Sequence, residues 1–264
     1  LVLGEWDWMT SRGPLNGIGI MLRLPTADKI DYRCHPIDIA VSVAILSDIH
    51  ANLPALKAVL SNIESLKVNR IICAGDIVGY YPFPDQVVEA LQRNGVESII
   101  GNHDRAVIHV NTVGMNRLAA EAARWTSLNM AARHVDYLRL LRSRMRLRLG
   151  RLEVAVYHGT PRDDDEYLYE ADLSPELLEM CSCDLMISGH THIPYLRRYP
   201  GGMIMNPGSV GQPRDGDPRA CFGILDDSGM ASIHRVEYDI AAVERAVEET
   251  ELPRFLGERL RYGF

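Results

Sequence analysis

The sequence predicts an α/β protein, and three observations predict it. From residue 41 onward, short β-branched runs alternate with stretches of helical periodicity, the pattern of βαβ units. Turn-forming Gly, Asn, Asp or Pro separates the runs. The chain has 264 residues, 47% of them apolar and 24% charged, which is enough apolar mass for one sizeable core. One domain is therefore expected over 41–264, closed by C-terminal helices.

Taken in order, "VSVAILSD" (41–48) reads as a buried strand. "LPALKAVLSNIESLK" (53–67) places Leu56, Val59, Leu60, Ile63 and Leu66 on one helical stripe, with Pro54 at a tolerated early position. "RIICAGD" (70–76) is a second strand, "PDQVVEALQRNG" (84–95) a helix ended by Gly95, and "VESIIGNHD" (96–104) a third strand. Residues 115–142 are mostly helical. The arginine-dense "LRLLRSRMRLRLGR" (138–151) suggests an anion-binding patch at first sight. Because Met145, Leu147 and Leu149 alternate with Arg146 and Arg148, a solvated helix face running into a strand is the preferred reading.

"LEVAVYHG" (152–159) is another strand, "SPELLEMC" (174–181) a short helix capped by Ser174, and "DLMISGHTH" (184–192) a strand. Four shorter strands follow at 195–199, 202–209, 220–226 and 230–238, and 239–261 has the period of one or two amphipathic helices. Residues 1–40 lack a sustained period and read neither as a signal peptide nor as part of the core. They are expected to be an N-terminal extension upstream of a natural start near Val41, an expectation that intact mass from the native host would test.

Net charge of −7 and a pI near 5.7 exclude a protein that coats nucleic acid, since that role needs a basic face. The longest apolar stretch, 39–46, is too short to span a bilayer. Five scattered cysteines, including the close pair Cys181 and Cys183, argue against a disulfide framework and for a reduced, cytoplasmic protein.

The chemistry lies at the strand ends. Five times a strand runs into a loop whose first residues are metal-ligand types: Asp48 and His50, Asp76, Asn102 and His103, His158, then His190 and His192. In open α/β sheets ligands bind at the carboxyl ends of strands, so these loops should converge. Taken singly, each residue reads more readily as a turn, cap or loop residue than as a ligand; together they supply imidazoles plus a few carboxylates, the donor mixture of a two-metal site whose ions lie about 3.5–4 Å apart. A ligand set of nitrogen and oxygen without thiolate suits two divalent ions, manganese first, with iron, zinc, cobalt or nickel as alternatives. Gly75, Gly101 and Gly189, each just before a ligand, fit close backbone approach.

In order, "DIH" (48–50), "GD" (75–76), "GNHD" (101–104), His158 and "GHTH" (189–192) resemble the motifs of the calcineurin-like metallophosphoesterases. The resemblance covers roughly 41–238 and is closest to the compact bacterial and archaeal, phosphodiesterase-like branch. It implies a four-layer sandwich of two mixed β-sheets flanked by helices. It also implies a dinuclear enzyme in which a metal-bridging hydroxide attacks a small phosphate ester.

By motif, Asp48, His50 and His192 would hold one metal, Asn102, His158 and His190 the other, with Asp76 bridging. His103 matches the non-ligand histidine that stabilises the transition state or protonates the leaving oxygen. Asp104 would orient that region or cap the following helix. Asn102, His103 and Arg214 would meet substrate. "NPGSVGQPRDGD" (206–217) also resembles a segment of this branch, and its Asn206, Ser209 and Gln212 read as structural turn residues before cleft residues.

Two departures matter. "GDIVGYYP" carries Gly79 and Tyr80 where the serine/threonine phosphatases of the superfamily have Asp-Arg, which puts protein phosphatase activity in doubt; Ala51 replaces a common Gly without obvious cost. A phosphomonoesterase and a non-catalytic protein-binding scaffold, the use a retromer subunit makes of this fold, are the alternatives. A homodimer is the expected assembly.

Overall fold

Strand alternation builds the core. In β1 (Ser42–Leu46) Val43 and Ile45 face one way, Ala44 and Leu46 the other, and all four are buried, so both faces of this strand are covered. A computed structural model describes residues 42–264; the extension expected over 1–40 lies outside the described residues.

The remaining elements follow in chain order. α1 (Leu53–Ser65), β2 (Arg70–Cys73), α2 (Pro84–Arg93) and the two-residue β3 (Glu97–Ser98) come first. Then come α3 (Asn102–His109), α4 (Arg117–Asn129) and α5 (Ala132–Arg139), followed by β4 (Arg144–Leu149) and β5 (Leu152–Tyr157). α6 (Glu176–Cys181), β6 (Leu185–Ile187), β7 (Tyr195–Tyr199), β8 (Gly202–Asn206), β9 (Ala220–Asp226) and β10 (Ala231–Val236) follow, and α7 (Ile240–Glu248) and α8 (Phe255–Glu258) end the chain.

Two mixed five-stranded sheets form, ordered β10-β9-β1-β2-β3 and β4-β5-β6-β8-β7. In the first, β1, β2 and β3 are parallel; in the second, β5, β6 and β8 are. Val43, Ile45 and Ile72 of the first sheet pack against Val154, Val156 and Ile187 of the second. The opposite face of the first sheet buries Ala44 and Leu46 against α1 and α2. The outer face of the second, with Ala155, Met186 and Ile204, meets Leu177 and Leu178 of α6. The result is the layered order implied by the family resemblance: helices, sheet, sheet, helix.

The expected elements are present, with differences at their ends. Residues 96–104 are expected as one strand, but β3 ends at Ser98, with one further bridge from Ile99 to Arg142, and Asn102 opens α3, because Asp104 turns back to accept the Gly101 N–H at 2.9 Å. Helix α6 begins at Glu176 after Pro175 instead of being capped by Ser174. In the arginine-rich run, Arg144, Arg146 and Arg148 point outward from β4 while Leu147 and Leu149 are buried, as alternation requires. Cys181 and Cys183 are paired as a disulfide, contrary to the all-reduced expectation; the left-handed turn at Ser182 brings the two Cα atoms to 5.4 Å.

Ile45, fully buried between the sheets, should cost about 2–5 kcal/mol when truncated to alanine. Leu128→Ala, at a residue 84% exposed, should stay within about 0.5 kcal/mol of the parent. Chemical denaturation of both variants checks this, and equal losses would contradict the placement.

Candidate metal centre

The strands end earlier than hydrophobicity suggests because the next residues leave extended geometry. Asp48, His50 and Asp76 each have φ of 52°, His190 65° and His192 61°. Left-handed backbone at non-glycine residues costs about 1–3 kcal/mol each and persists only where the surroundings over-determine it. Here it ends pairing and turns each donor inward. The loops come from β1, β2, β5 and β6, and α3 adds its first turn, so both sheets contribute to one rim.

Two donor groups result. The ligand atoms of Asp48, His50, Asp76 and His192 lie within 4.8 Å of one another, as do those of Asp76, His158 and His190. Asp76 belongs to both. Asn102 joins the second group, its Oδ1 lying 3.0 Å from His158 Nε2. Every one of these residues except Asn102 is buried.

Backbone carbonyls fix three of the imidazoles. His50 Nδ1 faces the Val78 carbonyl at 3.3 Å, His158 Nδ1 that of Ala74 at 2.8 Å, and His192 Nδ1 that of Gln212 at 2.6 Å. A carbonyl only accepts, so each Nδ1 carries the proton and donates it. For His50 and His192, which burial holds well below the ordinary histidine range, Nε2 then carries only a lone pair. Those two Nε2 atoms face each other at 3.1 Å, an arrangement that repels unless a cation lies between them.

The remaining electrostatics are those of a cation site. Asp48 Oδ1 and His190 Nε2 are buried without a hydrogen-bond partner. Burial pushes the Asp48 carboxyl up to about 7, with Asp76 adding to the rise, as expected where negative charge lacks compensation. Burial works against the Asp76 carboxylate too, but His158, His103 and His50 together hold it well below the usual range. Burial also opposes charge on His158, yet Asp76 and Asp48 raise it to about 10, and His190 is lowered to about 3, chiefly by burial. A divalent ion would supply the positive charge these carboxylates need; His50, His190 and His192 are held in the neutral form that binds one, and His158 would release its Nε2 proton on binding.

Close backbone approach is enforced at Gly101, where a Cβ would run into the Asp76 carboxylate and amide. The His103 N–H donates to Asp76 Oδ1 at 2.8 Å. His103 is in neither donor group; its ring lines a cavity of roughly 460 Å³ above the cluster with Asp76, Asn102, His190, His192 and Arg214. Asp104 is buried behind the cleft, accepting backbone N–H groups of Gly101 (2.9 Å), Val78 (3.0 Å) and Ile77 (3.3 Å). It both caps α3 and holds the loop after Asp76.

Of the 206–217 segment, only Arg214 lines the cleft. Asn206 donates to the Gly189 carbonyl at 2.8 Å, Ser209 donates to the Asp48 carbonyl at 2.7 Å, and the Gln212 carbonyl receives His192. They hold the ligand loops in place. Sequence reasoning missed Tyr167, whose ring lies 3.8 Å from that of His190, and treated Tyr80 only as a departure from a motif. An aromatic residue shortly after the His158 loop was the available signal for Tyr167.

Residues 41–229 match the calcineurin-like phosphoesterase superfamily domain. The chain is 37% identical to the crystal structure of a metallophosphoesterase from Sphaerobacter thermophilus, with a TM-score of 0.74 over 85% of this chain and all of that one. It is 34% identical to an uncharacterised protein of Methanocaldococcus jannaschii over 240 residues, 84% of this chain and 98% of that one. It is 26% identical to the phosphodiesterase YfcE of Escherichia coli over 206 residues, 74% of this chain and 93% of that one.

Asp104→Ala leaves three buried amide donors unsatisfied and should lower stability by about 2–5 kcal/mol. Calorimetric titration should also show weaker metal binding, because the loop holding Asp76 loses its anchor. A variant with parental stability would refute this role.

Proposed function

Because the chain belongs to the calcineurin-like phosphoesterase superfamily, a family of hydrolases acting on phosphate esters, we propose that it is a dinuclear enzyme preferring phosphodiesters or small phosphorylated metabolites. The observation that carries the reading is the pair of donor groups sharing Asp76, with the His50 and His192 lone pairs facing each other. In this reading Asp48, His50 and His192 hold one ion and Asn102, His158 and His190 the other. Manganese is the first candidate, and an N/O donor set equally accepts iron, zinc, cobalt or nickel.

Two divalent ions held there would polarise a phosphoryl oxygen and acidify a water molecule. The chain's own side chains do the rest. Arg214 has no carboxylate partner among the described residues and offers its guanidinium to a phosphoryl oxygen. His103, at the cleft wall beside Asp76, meets the leaving oxygen as charge develops on it. The buried loops exclude bulk water from the donor groups, which strengthens each of these interactions.

Two features favour diesters over phosphoproteins. Gly79 and Tyr80 stand where the protein phosphatases of the superfamily have an Asp-Arg pair, so His103 lacks that carboxylate partner. The Escherichia coli relative is named a phosphodiesterase. The presence of His103 with all seven proposed ligands disfavours a pure binding scaffold.

Metal-supplemented protein should hydrolyse an aryl phosphodiester, and removal of metal by a chelator should abolish the activity. Asp76→Ala should lose both ions, whereas His192→Ala and His190→Ala should each weaken a different one, as read by metal content. His103→Ala should retain both ions while losing roughly 10²–10⁴-fold in rate. Absence of hydrolysis with manganese, cobalt, nickel, zinc and iron alike would reject the proposal.

A further inference from the structure

Two arginines line the cleft. Arg105 is paired through Nη2 with Asp165, while Arg214 has no carboxylate partner among the described residues, so its charge is the one not already neutralised by an acid. How those donors are already used limits what they grip. Nε and Nη2 of Arg214 both donate to Gln212 Oε1, at 3.2 and 2.8 Å. Nη2 also donates to the Tyr80 hydroxyl at 3.2 Å. Both acceptors are firmly held: Gln212 is fully buried and donates to the Tyr81 hydroxyl at 3.0 Å, and Tyr80 is 2% exposed.

A guanidinium clamps a phosphate through two parallel N–H groups on adjacent nitrogens. In Arg214 the Nε/Nη2 fork is closed by Gln212. The Nη1/Nη2 fork is half closed, because the Tyr80 hydroxyl takes an Nη2 hydrogen. Only Nη1 remains, a single-nitrogen contact.

Tyr80 has a second connection to the centre. Its ring centroid lies 4.5 Å from that of His103 and 4.7 Å from that of His50. Its backbone shares the left-handed geometry of the donor residues, with φ of 52°. At the preceding Gly79, φ is 94° and a Cβ would meet His103 Nδ1 at 2.6 Å, so the loop is shaped to bring Tyr80 against the histidine. No local sequence preference accounts for a buried tyrosine held in this conformation between an arginine and a histidine of the same cleft.

We propose that Tyr80 sets the substrate class of this site: its hydroxyl occupies the hydrogen that would complete the free fork of Arg214. A diester has two non-bridging oxygens and a monoester three; with one of them directed to the donor groups around Asp76, a diester leaves one for Arg214, which a single free nitrogen meets, whereas a monoester leaves two, which only an open fork would clamp. The inference rests on the phosphoesterase reading of the cleft. It assigns the diester preference to a residue that neither binds metal nor meets the reacting atoms.

Tyr80→Phe tests it, since the ring and its packing stay while the hydroxyl leaves. The metal-loaded parent and variant are compared on an aryl phosphodiester and an aryl phosphomonoester with the same leaving group. The diester-to-monoester ratio of kcat/KM should fall about fivefold, one charge-assisted hydrogen bond made available to the monoester. Calorimetry should show orthophosphate binding the variant more tightly than the parent, with no gain for dimethyl phosphate. Adding Arg214→Lys, which has no fork, should remove the gain.

An unchanged ratio with unchanged orthophosphate affinity would overturn the proposal, as would a gain that survives Arg214→Lys. A parent protein that hydrolyses neither ester rejects the phosphoesterase reading separately, and the anion-binding comparison then still decides the role of Tyr80.

Discussion

The buried carboxylate of Asp76 is the constraint on which the rest of the site depends. It is 1% exposed, lies 3.6 Å from His50 Nε2 and 3.4 Å from His158 Nε2, and accepts the His103 amide. A charge so placed requires compensation, because desolvating an unpaired carboxylate costs several kcal/mol. Each neighbouring feature serves that need. Gly101 leaves room for the carboxylate, Asp104 fixes the loop that carries it, and histidines from three other segments surround it. Two sheets are held at one rim because both must deliver side chains to this group.

Much of this arrangement was legible in the sequence. The continuous apolar runs 43–46 and 154–157 read as buried strands, and their burial on both faces follows because successive side chains along a strand point to opposite sides. The candidate donor residues were legible because few side-chain types bind divalent transition metals. What remained hidden was conformational. Any residue is free to adopt a left-handed φ when its neighbours force it, so nothing in "SDIH" announced that pairing ends at Leu46. Asn102, His103 and Asp104 were read as strand although they open a helix, because the Asp104 carboxylate turns back to accept the Gly101 N–H. The Cys181–Cys183 pair was seen but read as reduced, because its geometry depends on the turn at Ser182.

The supporting layer was the least legible part. Ala74, Val78 and Gln212 orient three imidazoles through their carbonyls, and every residue has a carbonyl. Asn206 and Ser209 were weighed as cleft or turn residues, and the structure shows side chains bonded to the ligand loops from behind. Such groups are costly to bury unless fully satisfied. Their cost, added to that of the left-handed donors, identifies a region where local preference is sacrificed to geometry, which is expected of functional sites and rare elsewhere.

The chain carries a net charge of −7, yet the proposed substrates are anions. Long-range attraction therefore cannot be what draws them in, since the overall field opposes approach. The attraction has to be local and begin within a Debye length of roughly 8 Å, inside a cleft lined by Arg105, which Asp165 pairs, and Arg214, which no carboxylate pairs among the described residues. Two divalent ions in the proposed site would carry most of its positive charge, so total charge is a poor basis for telling one phosphate ester from another. What the chain's own residues add is hydrogen-bond geometry, and there Tyr80 restricts Arg214.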